Sequence, residues 1–172
     1  TISQWNDISG KNNHATQGTA SAQPIYLPNS ANSKPLVGFI ADKTLILPAA
    51  LYTLTMKPST IFCVSKRTTA SGAVENMLSL AIVAAGTNRL VLRFDATEQT
   101  TFFNCVAATI VSQANTTTNL NIHNSVRNGT AQSIAVNGST PVVNYAATNE
   151  AGVDAAYIGS RLGSAQFLTG AI

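Results

Sequence analysis

The segment Trp5-Asn6-Asp7-Ile8-Ser9-Gly10-Lys11-Asn12-Asn13-His14-Ala15-Thr16-Gln17 is the most informative stretch of this chain. It is too polar for a core strand, and its side chains are too specific in type for a filler loop. Asn6, Asp7 and Ser9 carry short acceptors that close local turns, and Gly10 tolerates a positive φ. We expect a shaped surface loop in which Trp5, the only tryptophan, is a buried anchor.

The composition bounds the class of protein. The 172 residues suffice for one domain with a substantial core. Only 10% of them are charged, against about 25% in average proteins. Such a low charged share is typical of secreted and virion-exposed β proteins. The net charge is only +3, and the basic residues are scattered along the chain, so we do not expect nucleic-acid binding. No apolar run reaches the roughly 18 residues of a membrane span, so we do not expect membrane insertion. Cys63 and Cys105 fit either two buried free thiols, which we favour, or one disulfide.

Runs of β-branched and aromatic residues, separated by Gly, Asn, Pro and Ser, recur along the chain and predict strands. Asn137-Gly138 and Asn128-Gly129 predict tight hairpin turns, because both central residues accept a positive φ. A helical turn is expected only at Ala49-Ala50-Leu51. These features predict an all-β antiparallel sandwich or jelly roll with little or no helix. The predicted strands are 25–27, 36–39, 45–47, 60–66, 77–83, 89–94, 101–107, 121–127, 133–136, 142–145, 155–159 and 167–172.

Alternation within the strands predicts which side chains face the core. Leu90, Leu92 and Phe94 share one face, which we expect to be buried, while the residues between them face a wetter side. In the later strand, the polar Ser125 and Arg127 are expected to face outward.

The opening segment, the Asn137-Gly138 hairpin and Tyr157-Ile158-Gly159-Ser160-Arg161 resemble, in this order, the laminin-G-type (LamG-like) jelly-roll modules of the concanavalin A-like superfamily. Such modules occur in phage fibre and capsid-surface proteins, in bacterial adhesins and as appendages of carbohydrate-active enzymes. The run Phe39-Ile40-Ala41-Asp42-Lys43-Thr44-Leu45 departs from the pattern, since it lacks the expected Gly and most of the acidic positions. The resemblance implies that 1–172 is one domain of a longer polypeptide, shortened at both ends.

Catalytic patterns are sparse. Glycoside hydrolysis needs two carboxylates about 5–10 Å apart on one surface. None of the seven acidic residues is paired at the i, i+2 spacing that places side chains on one strand face. The alternating Glu-x-Asp-x-x-Glu of jelly-roll glucanases is also absent. We therefore expect that the chain is not an enzyme.

The two histidines are expected to have structural roles, His14 in the loop and His123 within a strand. Some LamG-like modules hold calcium, which prefers six to eight oxygen ligands. Asp7 with Asn6 and Asn12 could contribute to such a site, or Asp7 could close its own turn.

Sugar sites use exposed aromatic side chains as rigid platforms. The candidates are Tyr26, Tyr52, Tyr145 and Tyr157, together with Trp5, for which we favour the alternative of a buried anchor. Together with the resemblance, they predict a non-catalytic, surface-displayed module, either a virion fibre or a capsid decoration, that binds host cell-surface glycans. The alternatives are a secreted bacterial adhesin or carbohydrate-binding module, and the lectin-like appendage of a carbohydrate-active enzyme. Expected partners are glycans, other structural chains of the assembly, or a second copy of the chain, at an extracellular or virion surface.

Overall fold

The computed structural model describes residues 1–52, 58–68, 72–83, 87–97, 99–104, 109–114, 118–128, 131–145, 153–162 and 166–172. Helical structure there is limited to a 3-10 turn at Ala20–Ala22 and to α1 (Ala49–Tyr52), which follows Pro48 as expected. No helix in this part of the chain has the length and apolar character needed to cross a membrane. The strands are β1 (Gln4–Trp5), β2 (Ala15–Thr16), β3 (Ile25–Ala31), β4 (Lys34–Phe39), β5 (Leu45–Ile46), β6 (Ser59–Arg67), β7 (Glu75–Ile82), β8 (Thr87–Phe94), β9 (Gln99–Asn104), β10 (Thr109–Ala114), β11 (Asn121–Asn128), β12 (Ala131–Val136), β13 (Val142–Asn144), β14 (Ala155–Ile158) and β15 (Gly170–Ala171).

The strands form two antiparallel sheets. The eight-stranded sheet has the order β1-β2-β5-β14-β7-β8-β9-β10, and the seven-stranded sheet has the order β13-β12-β11-β6-β15-β4-β3. The prediction of an all-β antiparallel sandwich with little helix is confirmed. Each predicted strand overlaps an observed one, and β1, β2 and β10 were not predicted. Two-residue strands such as β1 and β2 are too short to show an alternating pattern.

The turn between β12 and β13 has the predicted geometry. Asn137 and Gly138 have φ values of 53° and 75°, as a type I′ turn requires, and the Ser139 N–H donates to the Val136 carbonyl over 3.0 Å. Asn128 pairs with Ala131 in the preceding hairpin, whereas Gly129 lies outside the described residues.

The core lies between the sheets, and Leu90, Leu92 and Phe94 are buried there as predicted. The same strand corrects the expectation for its other face, since Val91 is fully buried. Further buried apolar side chains of the core are Ala15, Val37, Phe39, Leu45, Met77, Ile134 and Leu168.

Strand β11 has the opposite orientation from the one predicted. Ser125 and Arg127 are buried, whereas Ile122 is exposed. The reason is that this half of the interior contains polar groups. His123 Nε2 lies 2.8 Å from Ser65 Oγ, and buried Arg67 lies over the Phe94 ring at 4.5 Å, a cation–π contact that stabilises a desolvated guanidinium.

Candidate functional site

Two aromatic side chains, Trp5 and Tyr26, line one cleft at the open edge between the sheets. This Trp5–Tyr26 cleft has a volume of about 400 Å³, which falls within the range of small-ligand sites. Its lining residues, all uncharged, are Ile2, Gln4, Trp5, Asn6, Tyr26, Pro35, Leu36, Val37 and Ile172.

The two sheets supply opposite walls of the cleft. Trp5 pairs with buried Ala15 across β1 and β2, so its ring is on the core-facing side of the eight-stranded sheet. Tyr26 pairs with Val37 across β3 and β4 and lies on the core-facing side of the other sheet. The Ile2 N–H donates to the Pro24 carbonyl over 2.7 Å and holds the first residues beside β3. Side chains far apart in the sequence therefore meet at one edge.

Trp5 is not the buried anchor that the sequence predicted. Its side chain is 36% exposed, and that of Tyr26 is 58% exposed. The reason is that, among the described residues, β1 and β3 are the edge strands of their sheets and have no further strand beside them to cover an inward-facing ring. Trp5 also lines two neighbouring cavities of about 350 and 280 Å³.

The rim of the cleft carries side-chain amides. Gln4 Nε2 donates to Asn6 Oδ1 over 2.6 Å, which fixes the two side chains relative to each other. At the exposed rim, the side-chain amide oxygen of Gln4 is an additional acceptor, and the side-chain NH₂ group of Asn6 is an additional donor. Gln4 was not predicted as a site residue, although its i, i+2 relation to Asn6 was a usable signal.

The loop that follows Asn6 is closed by its own hydrogen bonds. The Asp7 carboxylate accepts from the Ser9 N–H at 2.8 Å, the Ser9 hydroxyl at 2.8 Å and the Asn13 N–H at 2.9 Å. These bonds, chiefly those from the Ser9 and Asn13 backbone, lower the pKa of Asp7 to about 2. His14 Nδ1 accepts from the Asp7 N–H over 2.9 Å, and Gly10 has a φ of 79°. Asp7 and His14 both take part in hydrogen bonds within the loop, and their structural roles stay a prediction.

The calcium prediction depends on Asp7, Asn6 and Asn12. Both Asp7 oxygens accept hydrogen bonds from the loop, and Asn6 Oδ1 accepts one from Gln4. In the described ranges, no three His, Cys, Asp or Glu side chains lie together as a metal-binding group. The arrangement therefore accounts for Asp7 as the residue that closes the loop.

The four tyrosines named from the sequence do not form one site. Tyr26 alone lines the cleft. Tyr157 lies in β14, where burial, together with the charges of the nearby Asp154 and Tyr52, raises its pKa. Tyr145, 73% exposed, follows β13 at the far edge of the seven-stranded sheet. Sugar binding by these tyrosines stays a prediction.

Cys63 and His123, two side chains of chemically reactive types, lie in β6 and β11. Cys63 is a free thiol, and burial raises its pKa to about 12, so the reactive thiolate is not populated at neutral pH. Cys105 lies outside the described residues. Burial lowers the pKa of His123 to about 4, and its Nδ1 has no hydrogen-bond partner among the residues that the structure describes. Both side chains pack between the sheets.

Comparison with known proteins supports the fold. No protein family matches the chain, and no curated protein sequence does, so membership of the LamG-like modules stays a prediction. A solved structure of Trypanosoma rangeli sialidase, in complex with 2-keto-3-deoxy-D-glycero-D-galacto-2,3-difluoro-nononic acid, is similar with a TM-score of 0.69 at 14% identity. A second structure of Trypanosoma rangeli sialidase gives a TM-score of 0.70 at 14% identity. Each match covers 99% of this chain, which spans 27% and 28% of the sialidase chains.

The expectation that the chain is not an enzyme is contradicted by these neighbours, because both are sialidases. That expectation depended on missing carboxylate pairs within the sandwich. The comparison shows that a sandwich of this shape forms about a quarter of a catalytic polypeptide, so a missing motif within the sandwich does not decide enzyme activity. At 14% identity, the likeness establishes the fold alone.

Proposed function

We propose that this chain is a carbohydrate-binding β-sandwich module whose Trp5–Tyr26 cleft holds one pyranose ring. The observation that carries the proposal is the pair of exposed aromatic side chains on opposite walls of one cleft, with the Gln4–Asn6 amide pair at its rim. The sialidase neighbours are consistent with a carbohydrate-related protein.

The chemistry of the cleft matches that of a sugar. A pyranose has apolar C–H faces, which pack on aromatic rings, and hydroxyl groups around its circumference, which need hydrogen-bond partners. Trp5 and Tyr26 offer the first kind of surface, and the amides of Gln4 and Asn6 offer both donors and acceptors. Because all lining side chains are uncharged, we propose neutral hexoses rather than acidic sugars as ligands.

We also propose that the module is displayed outside the cell, on a virion fibre or capsid or in a secreted adhesin. The low charged fraction of 10% supports this location. The lectin-like part of a carbohydrate-active enzyme is the second candidate, favoured by the coverage of 27–28% of the sialidase chains.

Titration of the intrinsic fluorescence tests the sugar site, because Trp5 is the only tryptophan. Methyl glucoside, methyl galactoside and methyl mannoside serve as neutral probes, and sialyllactose as the acidic one. We expect at least one neutral probe to change the Trp5 emission saturably, and Tyr26→Ala to weaken that binding roughly tenfold, equivalent to about 1.4 kcal/mol.

Tyr145→Ala is the matched control, since it also truncates an exposed tyrosine but lies far from the cleft. Its affinity should equal that of the unmodified chain. Equal affinity of Tyr26→Ala and the unmodified chain, or tighter binding of sialyllactose than of every neutral probe, would overturn the proposal.

A further inference from the structure

Four side chains with metal-binding or hydrogen-bonding atoms meet in the interior of the sandwich. Cys63 and Ser65 come from β6 and His123 from the neighbouring β11, whereas Met77 comes from β7 of the opposite sheet. Cys63 Sγ lies 4.0 Å from Met77 Sδ, and Ser65 Oγ lies 3.0 Å from Met77 Sδ and 2.8 Å from His123 Nε2. Ser65, Met77 and His123 are buried. We call the thiol, the thioether and the imidazole of this group the Cys63–Met77–His123 cluster.

The distance between the two sulfur atoms fits one shared metal ion. A ligating sulfur lies about 2.3 Å from a first-row metal ion such as zinc. If Cys63 Sγ and Met77 Sδ, which are 4.0 Å apart, both lie at that distance from one ion, the angle between the two bonds is about 120°. This is the angle of a trigonal arrangement, so the two sulfur atoms leave one further ligand position in the plane.

The imidazole of His123 is the third candidate ligand. His123 lies directly opposite Cys63 in the β6–β11 pairing, which brings the Cβ atoms of such a pair to about 4.5–5.5 Å. Because the single Ser65 hydroxyl proton is donated to Met77 Sδ, the Nε2–H of His123 is the donor to Ser65 Oγ. This tautomer leaves a lone pair on Nδ1, which has no hydrogen-bond partner in the described part of the chain. A neutral imidazole whose other N–H is held by a hydrogen bond is the usual form of a metal-binding histidine.

The charge balance of the interior favours a monovalent ion. A monovalent cation and the Cys63 thiolate form a neutral pair, whereas a divalent ion leaves a net positive charge in a desolvated site. A cation is already close, because the Arg67 guanidinium lies 4.5 Å over the Phe94 ring. The same ring packs edge-on against His123, with the ring centroids 5.6 Å apart. Thiolate and thioether ligands favour the soft ion Cu(I). Zinc usually takes four ligands, and the described residues offer no group of three His, Cys, Asp or Glu side chains.

We propose that the Cys63–Met77–His123 cluster binds one Cu(I) ion through Cys63 Sγ, Met77 Sδ and His123 Nδ1. The ion replaces the proton of the Cys63 thiol, which is released to solvent, and neither copper nor sulfur changes its oxidation state. Ser65 is a positioning residue, since it holds the His123 ring without contacting the ion. The bound ion links β6 and β11 of one sheet to β7 of the other, so it stabilises the folded sandwich.

Metal titration of the whole chain tests this proposal in a Cys105→Ser variant, in which Cys63 is the only thiol. The probes are Cu(I) under anaerobic conditions, Ag(I), which has the same charge and softness, and Zn(II). Each ion is added to the folded chain and, in parallel, before refolding from urea, so that slow entry into the interior does not hide the site. Native mass spectrometry gives the number of bound ions, and thiolate-to-metal absorption gives the affinity. We expect one Cu(I) or one Ag(I) per chain, and Zn(II) binding that is weaker by roughly a hundredfold or more.

Variants of the thioether and imidazole separate the proposed site from binding by a thiol alone. Met77→Leu conserves the side-chain volume and should weaken Ag(I) binding roughly tenfold or more, as should His123→Gln. The matched controls are Met56→Leu and His14→Gln, which change the only other methionine and the only other histidine. Both controls should bind Ag(I) as tightly as the Cys105→Ser parent. In that parent, Cu(I) should shift the NMR signals of the Met77 methyl group and the His123 ring together.

Equal Ag(I) affinity of Met77→Leu and the parent would show that the thiol alone holds the ion, which would overturn the proposal. Loss of affinity in Met56→Leu as large as in Met77→Leu would also contradict it. Zn(II) binding as tight as Ag(I) binding, or no Ag(I) binding even after refolding with the ion, would likewise overturn it. None of these readouts depends on sugar binding.

Discussion

Gly159 is the position at which a single methyl group is expected to damage the sandwich most clearly. It has a φ of 84°, and a Cβ there would lie 2.5 Å from Cε1 and 3.0 Å from Cγ of Phe39, a fully buried residue of the opposite sheet. The left-handed backbone costs an alanine about 1–2 kcal/mol, and overpacking against a core ring costs about 1–3 kcal/mol. Gly159→Ala should therefore lower the free energy of unfolding by about 2–5 kcal/mol.

Urea unfolding monitored by circular dichroism measures this effect, with Gly138→Ala as the control. Gly138 has a φ of 75°, but a Cβ at this position would have no neighbouring atom within 4 Å, so this variant reports the backbone cost alone, about 1–2 kcal/mol. The double variant Gly159→Ala, Phe39→Leu should lose less stability than the two single changes summed, because the smaller side chain relieves the overlap. Equal losses for Gly159→Ala and Gly138→Ala, or strict additivity in the double variant, would show that the Phe39 ring does not oppose a methyl group at position 159.

Three further predictions concern titratable groups. Burial lowers the pKa of His123 to about 4, so as the pH decreases His123 takes up a proton in the unfolded chain before it does so in the folded chain. The free energy of unfolding should therefore fall by about 3 kcal/mol between about pH 6.5 and about pH 4. Urea unfolding at several pH values checks this, and the same dependence of the free energy of unfolding on pH in His123→Gln would contradict it. Asp7→Asn replaces one acceptor oxygen with a donor group, so the Ser9 and Asn13 amide hydrogens should exchange faster with solvent. In the unmodified chain, the stabilisation from the Asp7 carboxylate should persist above pH 3.8 and be lost towards pH 2, which an NMR titration of the carboxyl group measures. A third test compares the reaction of Cys63 with a thiol reagent at pH 8 in the folded chain and in urea, in a Cys105→Ser variant. Because burial raises the pKa of Cys63 to about 12, the folded chain should react roughly a thousandfold more slowly. Comparable rates would place the thiol at the surface.

The local features of the fold were predictable from the sequence. Alternation identified Leu90, Leu92 and Phe94 as core residues, and Asn137-Gly138 determined its turn, because both signals act over a few neighbouring residues. The orientation of β11 was not predictable in this way. Its buried His123 lies 2.8 Å from Ser65 of another strand, whereas alternation alone assigns polar residues to the outside.

The candidate site was only partly predictable for a similar reason. Tyr26 was recognised by residue type, but its neighbour Trp5 was expected to be buried. Their meeting depends on both β1 and β3 being edge strands, which the sequence pattern does not reveal.

The most direct test of the sugar site is an amide NMR titration of the chain with the tightest-binding neutral methyl glycoside. We expect the largest chemical-shift changes at the Trp5 indole N–H and at the amides of Gln4, Asn6, Tyr26 and Val37. Shift changes centred instead on Tyr145, or on Tyr52 and Tyr157, with the Trp5 indole unaffected, would contradict it.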